Sequence, residues 1–402
     1  PWLLNTGQKR KSAGVGKCCP SGAKSIAFYV VRTFSDDLIE NRYGNGRMTR
    51  KANQPFVRNA WYIAAWAEEL DNGLLARTIM NQPMVIYRDA DGKVGALEDR
   101  CCHRGAPLTH GHVSEMGLQC GYHGLTFDTT GKCVDIPGQK NIPPQAHVQA
   151  FPMVERNEIL WIWMGDPALA DDTKIVDYPY HDDKEKWPHR KAMFQIKSNY
   201  MLMIDNLMDL THLGYVHNKT IGGNPLNHVG AEMNSRQTEN GAYFIRWMMD
   251  HEPPPTYKQG GKFNGLVDRW QEFEYVGPSV VLQWSGAVEV GKGAKENREQ
   301  DGFHLRLLHA ATPETDTTFH YFWSTANGYR QDDPEATQEM YEQIYPTFIE
   351  DKVIMEAQQD RINLNPEREL VEIHADGALA LARLSLDKII AEDQAQMAQA
   401  AE

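Results

Sequence analysis

Four residues constrain this chain more than any others: Cys101, His103, Cys120 and His123. They form a C-x-H pair and a C-x-x-H pair, separated by residues 104–119. Two thiolates and two imidazoles satisfy a [2Fe–2S] centre in which one iron takes both Cys and the other both His. Exchanging Cys for His removes negative charge and raises the potential above that of an all-Cys cluster. Tetrahedral zinc is the competing reading of a Cys2His2 set. Zinc fingers usually separate a Cys pair from a His pair, each with two or more residues between its members. Here each pair mixes one Cys with one His, and only Cys102 separates the first two ligands. That pattern suits two adjacent irons, each loop giving one ligand to each. Cys102 is expected to point away from the metal, Cys133 to be a strand or turn residue, and His110 and His112 to lie on the surface.

The chain has 402 residues, enough for two domains with proper cores. It is 41% hydrophobic and 24% charged, ordinary for a globular protein. Its formal net charge of −13 argues against nucleic acid as a partner. No apolar run is long enough to suggest a membrane span. The six cysteines show no disulfide spacing, and no secretory signal is visible, so a reducing, cytoplasmic compartment is expected. Residues 1–53 read as an atypical basic, disordered extension. Residues 1–52 carry ten Lys or Arg against three acids, and the first Met is Met48. Upstream sequence joined to a protein that begins at Met48, a natural basic arm, and a transit peptide are the competing readings.

From Phe56 the pattern is strand-like: "FVRNAWYIAAW", "PMVIYR" and "KVGALED" are short apolar runs bounded by turn residues, with a hairpin turn at 89–93. Both ligand pairs fall in glycine-containing loops, and a further hairpin is expected at 129–132. The first domain is placed at 54–165, an acidic connection at 166–189 and a second domain at 190–395. In the second, "YMLMIDNLMDLTHLGYVH" (200–217) reads as one helix starting near Tyr200. Alternating segments follow it, then an Ala-, Glu- and Gln-rich helical end broken near Asn365–Pro366. The fold class is α+β: a small β domain, then a catalytic domain with an antiparallel sheet flanked by helices.

The helix at 200–217 carries a second set of candidates. Asn206, Asp209 and His212 follow at three-residue steps, and His217 comes five later. Two His and one carboxylate on one face of an iron leave positions open for O2. His212 and His217 stand about 140° apart on an ideal helix, so they share a metal only if the helix bulges or ends near Gly214. Glu350, Asp351, Glu356 and Asp360 all qualify by type as the carboxylate, and spacing does not choose among them. Arg246, Arg269 and Lys262 could meet an anion, but surface placement is expected for each.

These residues resemble the oxygenase components of Rieske non-haem iron aromatic monooxygenases, over about residues 54–395. "CCHRGAPLTHG…CGYHG" is similar to the Rieske ligand pattern, and "NLMDLTHLGYVH" to N-x-x-D-x-x-H-x4-H. "PFVRNAWYIAAW", "DIPGQ", "WIWMGDP", "DRWQ" and "TPET" resemble the subgroup of vanillate O-demethylase, toluenesulfonate methyl-monooxygenase and dicamba O-demethylase. The resemblance implies that Cys101 and Cys120 bind one cluster iron and His103 and His123 the other. It implies a mononuclear Fe(II) on His212, His217 and Asp351, with Asn206 nearby and Asp209 bridging the centres of neighbouring subunits in a homotrimer. It makes Gln283 and His309 the contacts to the substrate acid, with Gln where the dicamba member has Asn. It further implies O2, an aromatic acid substrate, and a separate NAD(P)H-dependent reductase of flavin and ferredoxin type; no G-x-G-x-x-G fingerprint supplies one in this chain. The implied reaction is oxidation of a methyl or methoxy group, vanillate-like O-demethylation first. Toluenesulfonate-type methyl hydroxylation and ring dihydroxylation are alternatives, and a Rieske electron carrier is the reading from another class.

Overall fold

A computed structural model describes residues 55–400, so the basic extension called at 1–53 lies outside the described residues. Eleven short strands come first. β1 (Trp61–Trp66), β11 (Ile159–Trp163) and β10 (Met153–Arg156) form one sheet, in the order β1-β11-β10. β2 (Leu75–Ile79), β3 (Gln82–Arg88), β4 (Val94–Glu98) and β9 (Ala150–Phe151) form a second. β5 (His112–Ser114), β6 (Gly117–Gln119), β7 (Thr126–Phe127) and β8 (Cys133–Asp135) form a third, which carries the metal loops. The turn between β3 and β4 is closed by Asp89, which accepts from Asp91 N and Lys93 N, with Gly92 at φ 81°. Asp128 closes the β7–β8 turn in the same way, through Thr130 N and Lys132 N, with Gly131 at φ 81°. Asp followed three residues later by Gly builds both turns, because only the glycine takes the left-handed position without strain.

The larger sheet has seven antiparallel strands in the order β12-β18-β17-β16-β15-β14-β13. They are β12 (His189–Ile196), β13 (Glu232–Gln237), β14 (Gly241–His251), β15 (Val267–Val276), β16 (Val280–Glu289), β17 (Phe303–Thr315) and β18 (Thr318–Asn327). Period-two alternation assigns each residue to a face. Phe273, Val281, Leu307, Ala311 and Tyr321 face a core shared with the helices. Val280, Leu282, Leu308, Ala310 and Phe322 face the other way, onto Trp61, Trp161 and Trp163 of β1 and β11. One sheet therefore serves as a wall between the β region and the helices.

The helical layer contains α1 (Met201–Met208), α2 (Leu213–Val216), α3 (Pro225–Val229), α4 (Pro255–Gly261), α5 (Pro334–Leu364) and α6 (Gly377–Ala400). The single helix expected over 200–217 is not observed. α1 stops at Met208, and Asp209 is extended at φ −127°, ψ 103°. The Asp209 carboxylate accepts from Thr211 N at 2.9 Å and Thr211 Oγ1 at 2.7 Å, so it caps a new 3-10 turn, Leu210–His212, that leads into α2. Arg246 and Arg269, expected at the surface, are both buried, whereas Lys262 is exposed. No helix among the described residues is long and apolar enough to cross a membrane.

α1 is fixed from behind by Arg383 of α6, whose guanidinium donates to both oxygens of Asp205 at 2.8 and 2.6 Å. Each partner is about one-seventh exposed, and removing one leaves the other's charge largely desolvated. Asp205→Ala is therefore expected to cost about 3 kcal/mol, seen as an earlier midpoint in urea unfolding of the metal-loaded protein. An unchanged midpoint would contradict this role for the pair.

Candidate metal centres

The two loops that present Cys101, His103, Cys120 and His123 repeat one design. Cys101 N donates to Ala106 O and Gly105 N to Cys101 O; Cys120 N donates to Leu125 O and Gly124 N to Cys120 O. Gly105 and Gly124 take φ of 70° and 77°, the left-handed conformation that closes each turn. Asp99 braces the first loop by accepting from Thr109 N and Oγ1, both at 2.8 Å. The repeat brings like beside like. The two thiols are buried side by side, and the rings of His103 and His123 lie 4.7 Å apart, both exposed. Burial, with the Cys120 thiol next to it, pushes Cys101 up to about 11, so this pocket disfavours a bare thiolate and suits one bound to a cation. A pair of thiols inside and a pair of imidazoles outside is the donor set of a His2Cys2 diiron cluster. Cys102 is exposed and stands outside the pair; Cys133 is buried, with its thiol on Asp135 O at 3.3 Å. His110 and His112 are exposed.

The break at Asp209 solves the second site's angular problem. His212 ends the 3-10 turn and His217 follows the last residue of α2, so the two rings turn towards each other. Asp351 meets them from α5. Its Oδ1 lies 3.0 Å from His217 Nε2 and 3.6 Å from His212 Nε2. The ligand atoms of all three residues fall within 4.8 Å of one another, a separation that one metal ion can span. His212 Nδ1 donates to the backbone carbonyl of Asp209 at 2.7 Å, and His217 Nδ1 donates to Glu350 at 2.7 Å. Both bonds occupy Nδ1 and turn Nε2 towards Asp351, the arrangement seen behind a metal-binding His. Of the four carboxylates left open by spacing, Asp351 faces the pair and Glu350 orients one member. Glu356 instead accepts from Lys197 N and pairs with Lys352, and Asp360 is exposed.

Asn206, one turn before the break, donates to Asp351 Oδ1 at 3.0 Å and lies 3.5 Å from His212 Nε2. Burial lowers His212, and the charge of Asp351 opposes it. Burial also works against protonation of His217, but the hydrogen bonds to Asp351 and Glu350 prevail and raise it. Asp209 does not touch His212 through its carboxylate within the chain. Oδ1 is taken by the cap, and the contact to His212 runs through the backbone carbonyl.

Gln283 and His309 are brought together on the sheet face that looks at the helices. His309 Nε2 lies 2.9 Å from Gln283 Oε1, and His309 Nδ1 lies 2.7 Å from Tyr321 Oη. Gln283 Oε1 can only accept, so Nε2 carries the proton and Nδ1 accepts from the Tyr321 hydroxyl. Burial pushes His309 down to about 3, so the ring is neutral, and Asp351 is close enough to act against that shift. Tyr321 and Glu350 were not singled out in the sequence as positioning groups; their signal lies in contacts between residues far apart in the chain. Another His and carboxylate group, Glu158, His181 and His189, lies beside the connection. There Lys184 and Lys191 already neutralise Glu158, and both nitrogens of His181 are hydrogen-bonded, so it reads as structural.

Comparison with known proteins agrees with this picture. Residues 60–152 match the model of the Rieske [2Fe-2S] domain, and residues 196–392 that of the vanillate O-demethylase oxygenase C-terminal domain. The chain is 39% identical over 338 residues to the iron-sulfur subunit of the toluene-4-sulfonate monooxygenase system of Comamonas testosteroni, covering 83% of this chain and 97% of that one. It is 36% identical over 350 residues to a vanillate O-demethylase oxygenase subunit from a Pseudomonas species, covering 84% and 96%. A crystal structure of dicamba monooxygenase bound to 3,6-dichlorosalicylic acid superposes with a TM-score of 0.79 at 33% identity, covering 85% of this chain and all of that one. A diiron-type pair of loops, a second His and carboxylate centre and relatives of this similarity together place the chain in the family of Rieske non-haem iron monooxygenases, as an oxygenase component.

Proposed function

We propose that this chain is the terminal oxygenase that oxidises a methyl or methoxy group of an aromatic acid, with O2 and electrons from a separate NAD(P)H-dependent reductase of flavin and ferredoxin type. The observation that carries the reading is the convergence of His212, His217 and Asp351 on one point, in a chain that also holds a Rieske domain. An electron carrier has no use for that second set. In the proposed assignment Cys101 and Cys120 hold one cluster iron, His103 and His123 the other, and the three converging side chains hold the mononuclear iron. When bound, the cluster supplies single electrons and the mononuclear iron supplies the place where O2 is activated. The chain's own groups prepare that place. Asp209 O and Glu350 fix the two His tautomers, and Asn206 holds Asp351 in position.

A homotrimer fits the exposed groups beside each centre. Tyr122, 65% exposed, has its ring 3.9 Å from that of His123, and Tyr215, 68% exposed, lies between His212 and His217 in the chain. In such an assembly the second oxygen of Asp209 is offered to a cluster His of the neighbouring subunit, while the first keeps the cap. A cytoplasmic location suits the buried, unpaired thiol of Cys133.

Oxidation of a methoxy carbon gives a hemiacetal that falls apart to a phenol and formaldehyde; oxidation of a ring methyl gives a benzyl alcohol. Vanillate-like O-demethylation is the first reading. The 39% identity to the toluenesulfonate relative favours methyl hydroxylation as the second. With a surrogate reductase, formaldehyde release from methoxybenzoates supports the first. Alcohol from methyl arenesulfonates without formaldehyde supports the second, and cis-diol product would contradict both.

Two substitutions test the assignment. Asp209→Asn keeps a good helix cap and removes the charge. It is expected to retain both kinds of iron and to lose nearly all turnover; full turnover would refute the bridging role. Glu350→Gln is expected to weaken mononuclear iron binding about 10- to 100-fold while the cluster absorbance is unchanged. Equal iron affinity in chelator titrations would remove Glu350 from the site.

A further inference from the structure

The sheet face that looks at the iron helices carries an unbroken polar row. Arg246 on β14 pairs directly with Gln271 on β15, and Gln271 with Ser285 on β16. Ser285 Oγ then accepts from Gln283, which meets His309 and through it Tyr321. Arg269 lies on the same face of β15, one step along from Gln271. At the His309 end of the row lies Asp351. At the other end lie two arginines, each only 3% exposed.

These arginines are tethered but not neutralised. Arg246 Nη2 donates to His228 O at 2.8 Å, and Arg269 Nη2 to Ile221 O at 3.0 Å, holding the segment that follows His217. Arg269 also lies over the Tyr257 ring at 4.3 Å. Among the described residues, no carboxylate forms an ion pair with either. Arg246 Nη1, Arg269 Nε, Gln271 Oε1 and His228 Nδ1 are buried without a protein partner. The opposite face of the sheet behaves differently. In an open cleft of about 700 Å3, Arg298 is paired with Glu272 at 3.2 Å and Arg306 with Glu299 at 3.5 Å. Two like charges buried side by side are costly unless an anion joins them. Burial, with the Arg269 charge beside it, pushes Arg246 down to about 10, and Asp209 acts on it from the iron side.

We infer that Arg246 and Arg269 form the binding site for the oxoanion substituent, carboxylate or sulfonate, of the aromatic substrate. The ring then lies along the polar row, with its methyl or methoxy carbon towards His212, His217 and Asp351. Gln283 and His309, neutral and already bonded to each other, contact the middle of the substrate rather than its acid. This inference rests on the oxygenase reading above, and it names the residues that choose the substrate class.

The test is calorimetric binding to the metal-loaded protein under nitrogen, so that no turnover is needed. The probes are toluene-4-sulfonate and 4-methoxybenzoate, each against its neutral primary amide. Wild type is expected to prefer the anions by at least about 100-fold, from charge-assisted bidentate contacts in a desolvated site. Arg246→Gln and Arg269→Gln are expected to lose most of that preference, with the amides bound as before. Arg246→Lys, which keeps the charge and loses the fork, falls between. Gln283→Leu keeps the preference, and with the Lys variant it carries the test if a Gln variant fails to retain its cluster. Anion preference that survives in the arginine variants and vanishes in Gln283→Leu would overturn the proposal, as would wild-type protein that binds neither anion. Product analysis separates the two readings. Acids oxidised by a protein whose arginine variants bind them normally would sink this site alone, whereas acids held by the arginines without any product would sink the oxygenase reading alone.

Discussion

One carboxylate holds the candidate iron site together. Asp351 reaches from the middle of a long helix to two histidines that lie more than a hundred residues earlier, and its Oδ1 is within 3.0 Å of one and 3.6 Å of the other. That meeting requires a defect. On a continuous helix His212 and His217 would diverge, and no rotamer choice would bring both to one point. Asp209 supplies the defect by ending one helix and capping the next turn with its own carboxylate. The same residue directs the His212 ring through its backbone carbonyl. A single Asp thus sets both the local backbone path and the orientation of the His212 ring.

The seven-stranded sheet organises everything around that point. Part of its outer face is covered by tryptophans of the β region, and its inner face packs on the helices. Because side chains alternate, one strand can serve both. On β17, Leu308 and Ala310 pack outward while Leu307, His309 and Ala311 point to the helices. The polar residues of the inner face are therefore held in a register as fixed as the hydrogen-bond ladder itself. The proposed function would draw on that rigidity, since displacements near 1 Å cost large factors in rate.

The two metal loops were legible in the sequence because each is local. Ligand spacing, left-handed glycines and Asp-to-Gly turns all act within a few residues, and the ladder around Cys101 and Cys120 follows from them. The break at Asp209 was also written there, as Asp followed two residues later by Thr, but the apolar period of 200–217 masked it. Asp351 could not be chosen by spacing, because Glu350, Glu356 and Asp360 share its helix and its charge. Only packing of α5 against α1 and α2 turns one of the four inward. Arg246 is hard to place from the sequence for another reason. On β14 both rows of alternating residues are largely apolar, Ala242, Phe244 and Met248 on one side and Ile245 and Trp247 on the other. Alternation therefore does not tell which row faces the core, and a charge on either row reads as solvent-facing.

The two-centre architecture is tested by iron content per chain, taken with the electron paramagnetic resonance of the dithionite-reduced protein, in wild type and in Asp351→Ala. Two cluster irons and one further iron are expected in wild type. The variant is expected to lose the further iron alone, with the reduced-cluster signal intact. An Asp351→Ala protein that still binds the full complement, or a fully loaded wild type that holds no iron beyond the cluster pair, would contradict it.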